Sequence, residues 1–467
     1  MKKLPVVIHK GFFTAISEGE TVAIYNRKNM SISRLENVVD PNSTQSIELA
    51  LSTFDNTFEC LDMPKVPLVS SAFTPLIVKG RTSRLHRLTI NIANACNLWC
   101  SYCYADHGTY HSPTSLMSEE MAVKIVANCL KFYSEIKTIH FFGGEPMLNP
   151  KAIKSVCEFI HDERGLKKTE FVATTNGTIY NDDLGKLLKK YSIGLTISLD
   201  GPSVIHDKLR PMNNNQSSHS VIRKNIEKLR DLGIEIDFEC TYTLEHYKAG
   251  ISVVDLLEYF NDELNVSQPH IGWSYLPRPK LSSDAYQKEA GIFRKDIETQ
   301  VHQHLPVELV AKLFGEAARK SIENVISGKG AALTFVIGIL KLLAERKAAK
   351  GYCPAFSSQL SIAANGNVYP CFMFIGDPSM RMGNIFDESF PGKEAYMVWD
   401  RYKDEFGEKA TGSDAWYAGL IAGCIAGDYI ATGNLNERIY EPVQEALIRE
   451  VILGLARHIE IDSEINL

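Results

Sequence analysis

The chain has 467 residues, 45% of them hydrophobic and 23% charged, with a net charge of −6. This is the composition of an ordinary globular protein of two to four domains, and it lacks the basic footprint of a nucleic-acid binder. MKKLPVVIHK has too short an apolar run for a secretory signal, and Ala331 to Leu340, stopped by Lys341, is too short to span a bilayer. The expectation is a cytoplasmic protein with no membrane partner, whose ten cysteines serve metal or catalytic roles instead of disulfides.

Residues 1–80 read as a separate N-terminal element. VVIHK, FFTAIS and TVAIYN are short strand candidates, with EGE as a turn between the last two. A weakly helical piece, Ser43 to Phe54, follows, and Met63 to Pro75 is proline-spaced like a linker. Two readings stand: a small β-rich cap, or a winged-helix-like element that grips the leader of a peptide.

From 81 to 280 the chain alternates strand and helix. Strand candidates are Leu88–Ala93, Thr138–Phe142, Glu170–Thr174, Gly194–Ser198, Ile234–Thr241 and His270–Tyr275. Amphipathic runs lie between them, at Ser118–Tyr133, Pro150–Glu163, Asp182–Tyr191 and Ser220–Leu232. Ser118 reads as an N-cap. Repeated βα units imply a parallel sheet, either a partial barrel or a flat doubly wound sheet. Residues 281–350 read as a helical connector without chemistry.

The stretch after the first strand is ANACNLWCSYCY, with Cys96, Cys100 and Cys103 in a CxxxCxxC spacing. Zinc sites usually take two CxxC knuckles, and Cys100/Cys103 has no second pair nearby. A cubane iron–sulfur cluster accepts thiolates at its iron corners. Three protein ligands leave the fourth iron open. One strand later comes FFGGEP, and the next two strands end in ATTNG and SLDG, followed by HDKLRP. Ligands of α/β folds gather at such strand ends.

These motifs resemble those of radical S-adenosylmethionine (radical SAM) enzymes. The resemblance implies an α/β fold with a partial (β/α)6 TIM-like barrel, a [4Fe-4S] cluster on Cys96, Cys100 and Cys103, and S-adenosylmethionine on its open iron. By match, Gly143, Gly144 and Glu145 take the amino group and Tyr102 lies against the adenine. Asn176, Ser198 and Asp200 are candidates for ribose hydroxyls or a carboxylate, and Arg210 for a carboxylate, which a guanidinium pairs bidentately. The implied chemistry is reductive cleavage of the sulfonium to a 5′-deoxyadenosyl radical, with the hard step carried by the cofactor. It calls for an electron donor such as flavodoxin or ferredoxin.

Beyond 351, Cys353, Gly366 and Cys371 match the opening of the SPASM auxiliary-cluster extension, with Asn365-Gly366 as a hairpin turn. The later cysteine block is eroded: its register falls on Ala415, Ala418, Cys424 and Asp428, and the last cysteine is absent. The readings left open are one auxiliary cluster on Cys353 and Cys371 with Cys424 or Asp428 completing it, or a substrate thiol filling the open iron, no cluster, or two. A zinc ion is a minor competitor. Cys60, Cys129, Cys157 and Cys240 read as small core residues, and Glu441 to His458 as an amphipathic helix. YCYADHGTY and HDKLRP look most like maturases that install thioether crosslinks in ribosomally made precursor peptides, with relatives that mature quinohemoprotein amine dehydrogenase. The expected function is joining a cysteine sulfur to a carbon of Asp, Glu or another residue. The alternatives are sulfatase formylglycine formation and a non-catalytic peptide-binding scaffold.

Overall fold

The computed structural model describes residues 6–10, 13–27, 30–35, 38–57, 83–212, 216–275, 304–346, 355–356, 358–406, 415–417, 419–420 and 423–458. Met63 to Pro75, Cys60, Cys353 and residues 281–303 of the expected connector lie outside them.

Four short strands, β1 (Val6–Lys10), β2 (Phe13–Glu18), β3 (Thr21–Asn26) and β4 (Ser31–Leu35), form an antiparallel meander in chain order. Gly19 makes the β2–β3 turn at φ +65°, where a Cβ is disfavoured. The described part of this element is thus a four-stranded sheet with one helix, 44–57. One face of the sheet, with Ala15, Val22 and Ile24, packs on that helix through Ile47 and Leu51. The other face, with Ile16, Ala23, Tyr25 and Ile32, joins the main core.

The main sheet has six parallel strands in sequence order: β5 (Ser83–Asn94), β7 (Tyr133–Gly143), β8 (Glu170–Thr175), β9 (Gly194–Ser198), β10 (Ile236–Tyr242) and β11 (His270–Trp273). This is the expected partial barrel, with helices between the strands. A two-residue β6 (Ser115–Leu116) pairs with the end of β5. Ser118 caps helix 119–132 by accepting from Met121 N at 3.2 Å. The run Pro150–Glu163 is not one helix: an α-helix over 150–157 widens into a π-turn over 158–163.

On the open side of β5 the C-terminal extension adds a strand. β12 (Gln359–Ile362) pairs parallel with β5, Leu360 beside Leu88, and turns back as β13 (Val368–Tyr369). The Asn365-Gly366 turn is present, with Gly366 at φ +85° and its Cα against the Phe386 ring. The barrel and the extension therefore share one sheet.

Along β8, β10 and β11, alternate residues are buried under helices: Phe171 and Ala173, Phe238 and Cys240, Ile271 and Trp273. The residues between them, Val172, Glu239 and Gly272, are less buried. Thr89, His140 and Thr174 share this inner face, the His140 ring bridging Thr89 Oγ1 (3.4 Å) and Thr174 Oγ1 (2.9 Å). A closed barrel would fill this space with layers of Val, Ile and Leu; here the inner face is mostly polar, with Val172 beside His140.

Helices 307–327 and 441–457 pack against each other and close the far side. The expected amphipathic pattern of 441–458 is overridden, because the helix lies between helix 307–327 and the meander and is buried nearly all round, Gln444 and Glu450 included. Arg319 bridges Glu450 (2.9 Å) and Glu18 (2.8 Å), and Arg457 also pairs with Glu18. The segment expected to be an inert connector thus ties the meander to the C-terminal helix. Cys129, Cys157 and Cys240 are buried core residues, as expected. Among the described residues no helix is long and apolar enough to cross a membrane.

Candidate active site

The cysteine loop leaves the end of β5 and is held on three sides. On the first, strands β5 and β7 keep pairing beyond their ends: Gly144 N donates to Ala93 O and Glu145 N to Ala95 O, both at 2.8 Å. The glycines serve this approach. A Cβ on Gly144 would stand 2.2 Å from Ala95 O and 2.7 Å from Gly108 Cα, and one on Gly143, at φ +148°, 2.5 Å from Ala93 O. Gly108, at φ +90°, is as tightly placed: a Cβ on it would stand 2.4 Å from Gly144 Cα. Close approach to a ligand was the sequence-based reason for the glycine pair; the structure adds a second reason, backbone against backbone. Gly144→Ala forces the cysteine loop to shift, at a cost of about 1–3 kcal/mol. A lowered iron content after anaerobic reconstitution, together with a lower melting temperature, checks this.

On the second side is the segment after helix 203–209. Trp99 N donates to Pro211 O (3.1 Å), Ser101 N to Leu209 O (3.0 Å), and Leu98 bridges Met212. On the third, Asn176 Nδ2 donates to Asn97 Oδ1 (2.9 Å) and lies 3.8 Å from Cys96 Sγ, while Asn97 Nδ2 donates to Thr178 Oγ1 (2.8 Å).

The three thiols lie close enough to influence one another electrostatically. Burial pushes Cys96 up to about 11 and Cys100 up to about 12, and raises Cys103. Backbone N–H groups of Ala105, His107 and Gly108 counter this by donating to Cys103. Thiols that are buried, backed by N–H donors and crowded together need a positive centre to ionise. A metal cluster supplies one, so the donor set fits. Among the described residues no three His, Cys, Asp or Glu side chains converge as a single metal ion requires.

Glu145 is fully buried, and its carboxylate accepts from Met147 N (2.9 Å), Thr175 Oγ1 (2.7 Å) and Asn176 N (2.7 Å). Burial raises it to about 6 against these three donors. Its visible partners are therefore on the chain, where it joins the β7 end to the β8 end. Tyr110, which the motifs did not single out, reaches Gly143 O with its hydroxyl at 3.4 Å.

Asp200 and Arg210 meet each other. Arg210 Nε donates to Asp200 Oδ2 (2.8 Å) and Nη2 to Oδ1 (3.1 Å), both residues being buried. Tyr102 OH donates to the same Oδ2 at 2.5 Å, its ring lies under the Arg210 guanidinium, and Thr241 N donates to Oδ1. Burial opposes ionisation of Asp200, but Arg210 holds it down to about 2. The carboxylate expected for Arg210 from a ligand is thus also supplied by the chain. Two histidines that the motifs left unassigned hold the Asp200 backbone: its N–H donates to His206 Nδ1 (3.1 Å), and His246 Nε2 donates to its carbonyl (2.8 Å). No sequence signal marked His246; it comes from a short helix that follows the next strand, β10. Ser198 is buried at the β9 end, level with Glu239 of β10.

In the extension, Cys371 is buried at the end of the hairpin, within electrostatic reach of Tyr104 and Tyr110 beneath the cysteine loop. Cys424 caps helix 425–432 by accepting from Gly427 N, and its sulfur lies 3.9 Å from Met373 Sδ. Asp428 lies within electrostatic reach of Cys424, and its Oδ1 accepts from Tyr440 N at 3.1 Å.

Residues 90–244 match the radical SAM superfamily, and residues 353–394 match SPASM, an iron-sulfur cluster-binding domain. The chain carries a radical SAM domain. Such a domain implies a [4Fe-4S] cluster and S-adenosylmethionine, and the SPASM domain implies an auxiliary iron–sulfur cluster. Over 303 residues the chain is 22% identical to the radical SAM cyclopropyl synthase TigE of Paramaledivibacter caminithermalis, covering 62% of this chain and 57% of that one. Over 307 residues it is 22% identical to a cysteine-type anaerobic sulfatase-maturating enzyme of Clostridium perfringens, covering 63% and 76%. An uncharacterized protein of Methanocaldococcus jannaschii is 30% identical over 138 residues, 45% of its length. The chain thus spans about half the length of two of these relatives. The solved structure of native anSMEcpe with bound AdoMet superposes with a TM-score of 0.60 at 20% identity, over 80% of this chain and all of that one. This likeness concerns the fold.

Proposed function

We propose that this chain is a radical SAM maturase that modifies a side chain of a peptide or protein, and that it installs thioether links from a cysteine sulfur to a carbon of an acidic or other residue. The observation that carries the reading is the buried three-cysteine loop, clamped on three sides at the carboxyl ends of parallel strands whose inner face is mostly polar. When bound, a cubane with one open iron supplies the electron that splits S-adenosylmethionine into methionine and a 5′-deoxyadenosyl radical. Cys96, Cys100 and Cys103 hold that cluster. The backbone at Gly143 and Gly144 receives the amino group, positioned by Glu145. Tyr102 backs the adenine, while Asn176, Ser198, Asp200 and Arg210 shape the ribose and carboxylate end. A one-electron donor such as flavodoxin or ferredoxin serves the cluster, and the N-terminal meander is the candidate element for a leader peptide.

Support for a peptide or protein substrate comes from the relatives, one a cyclopropyl synthase and one a sulfatase-maturating enzyme. The latter alignment also favours a second reading, oxidation of a substrate cysteine to formylglycine. Both are tested together. Reduced, reconstituted protein is incubated with S-adenosylmethionine and either a cysteine-rich precursor peptide encoded beside it or a sulfatase-type peptide. The thioether reading expects loss of about two hydrogens per crosslink from the first peptide only. Conversion of a cysteine to an aldehyde in the second, with the first untouched, transfers the assignment to formylglycine formation. Absence of 5′-deoxyadenosine under reducing conditions, with cluster present, rejects both in favour of a scaffold.

A further inference from the structure

Arg87 lies on β5, level with Thr138 of β7 on one side and Gln359 of β12 on the other. It is half-buried. Several other arginines that bind elements together have carboxylates: Arg84 has Glu135, Arg210 has Asp200, and Arg319 has Glu18 and Glu450. Among the described residues no ion pair or side-chain hydrogen bond is formed by Arg87. The titratable groups within electrostatic reach of it are His140 on β7, the strand that pairs with β5 on one side, and Cys371 at the end of the β12–β13 hairpin, which pairs with β5 on the other. His140 is buried, held by two threonine hydroxyls and kept neutral, so it offers no negative charge.

A guanidinium held partly out of water without an anion is unfavourable, and its five N–H groups donate only. The chain places this cation beside a thiol that falls within the stretch matched to an iron-sulfur cluster-binding domain. A thiolate-ligated cluster carries net negative charge, and its potential depends on that charge and on nearby donors. The extension also delivers Cys371 to this place through the parallel pairing of β12 with β5, the strand that carries Arg87.

We propose that Arg87 is the counter-charge of an auxiliary iron–sulfur cluster held in part by Cys371, and that it sets that cluster's reduction potential. The proposal rests on the reading that residues 353–394 hold such a cluster. Reduction adds an electron, so a fixed cation beside the cluster favours the reduced form, and its removal makes the potential more negative.

The test uses the full chain with Cys96, Cys100 and Cys103 all changed to Ala, which leaves only auxiliary iron. Iron and sulfide are counted, and a redox titration is followed by electron paramagnetic resonance, with Arg87 intact and as Arg87→Gln and Arg87→Lys. The expected result is equal iron in all three, a potential shifted to more negative values in Arg87→Gln, and most of the original potential kept in Arg87→Lys. Equal iron with an unchanged potential in Arg87→Gln overturns the proposal. Should that same variant, with the cysteine loop restored, also lose peptide modification, Arg87 is assigned to an anionic group of the substrate instead. A triple-Ala chain with no iron overturns the auxiliary-cluster reading itself, and the proposal with it.

Discussion

Replacing any one of Cys96, Cys100 or Cys103 with Ala is expected to abolish formation of 5′-deoxyadenosine, by at least about a thousandfold, because the cofactor and not a side chain performs the difficult step. The fold should survive. The loop is held by backbone pairing to Ala93, Ala95, Leu209 and Pro211, and none of those bonds uses a thiol. Removing a buried thiol that burial keeps protonated in the metal-free chain also removes no charge from it. The measurements are nucleoside release under dithionite, iron content and thermal unfolding, each on anaerobically reconstituted protein. The variants should lose about four irons per chain, the content of one cubane, with little change in the melting temperature of the metal-free form. Full nucleoside release from any of the three would remove that cysteine from the cluster.

The second large effect concerns Asp200. Changing it to Asn leaves the Arg210 guanidinium buried without its bidentate carboxylate, and breaking a buried pair on one side costs about 3–5 kcal/mol. The loss is expected to exceed that of a typical exposed pair such as Lys186–Asp183, which contributes about 0–1 kcal/mol. Because Tyr102 donates to the same carboxylate from within the cysteine loop, the variant should also retain its cluster poorly. Chemical unfolding of the metal-free protein and iron retention after desalting report the two effects separately. A companion double variant, Asp200→Leu with Arg210→Met, removes both charges and should recover much of the stability but not the cluster retention. The pH sign follows from the Asp200 carboxyl being held down to about 2. Its contribution is complete above the unfolded value of about 3.9 and is lost as the pH falls toward 2. If Asp200→Asn unfolds like the parent and keeps its iron, the pair does not position the loop.

The two effects separate what the loop's sulfurs do from what its surroundings do. The sulfurs were legible from spacing, since CxxxCxxC is a local pattern and a cluster needs thiolates from one short loop. The surroundings were legible only as a set of polar residues at strand ends. Asp200 and Arg210 were both expected to meet a ligand, and the structure turns them toward each other. Ten residues apart on either side of a short helix, they gave no indication in one dimension that the helix would fold one onto the other. Glu145 is a similar case: its motif was clear, yet two of its three donors, Thr175 and Asn176, come from the next strand end.

The sequence by itself determined the repeating strand–helix order, the six parallel strands, the Ser118 cap, the Asn-Gly hairpin and the cysteine loop. These follow from periods of two and 3.6 and from turn chemistry, which act over a few residues. Only the tertiary structure decided that β12 extends the sheet beside β5, that helix 441–457 is buried nearly all round, that Asp428 accepts from Tyr440 N, and that Arg87 comes within electrostatic reach of Cys371. Each joins segments at least twelve residues apart, most of them dozens or hundreds apart. Pairings at that range are chosen by how whole surfaces fit, which no local pattern encodes.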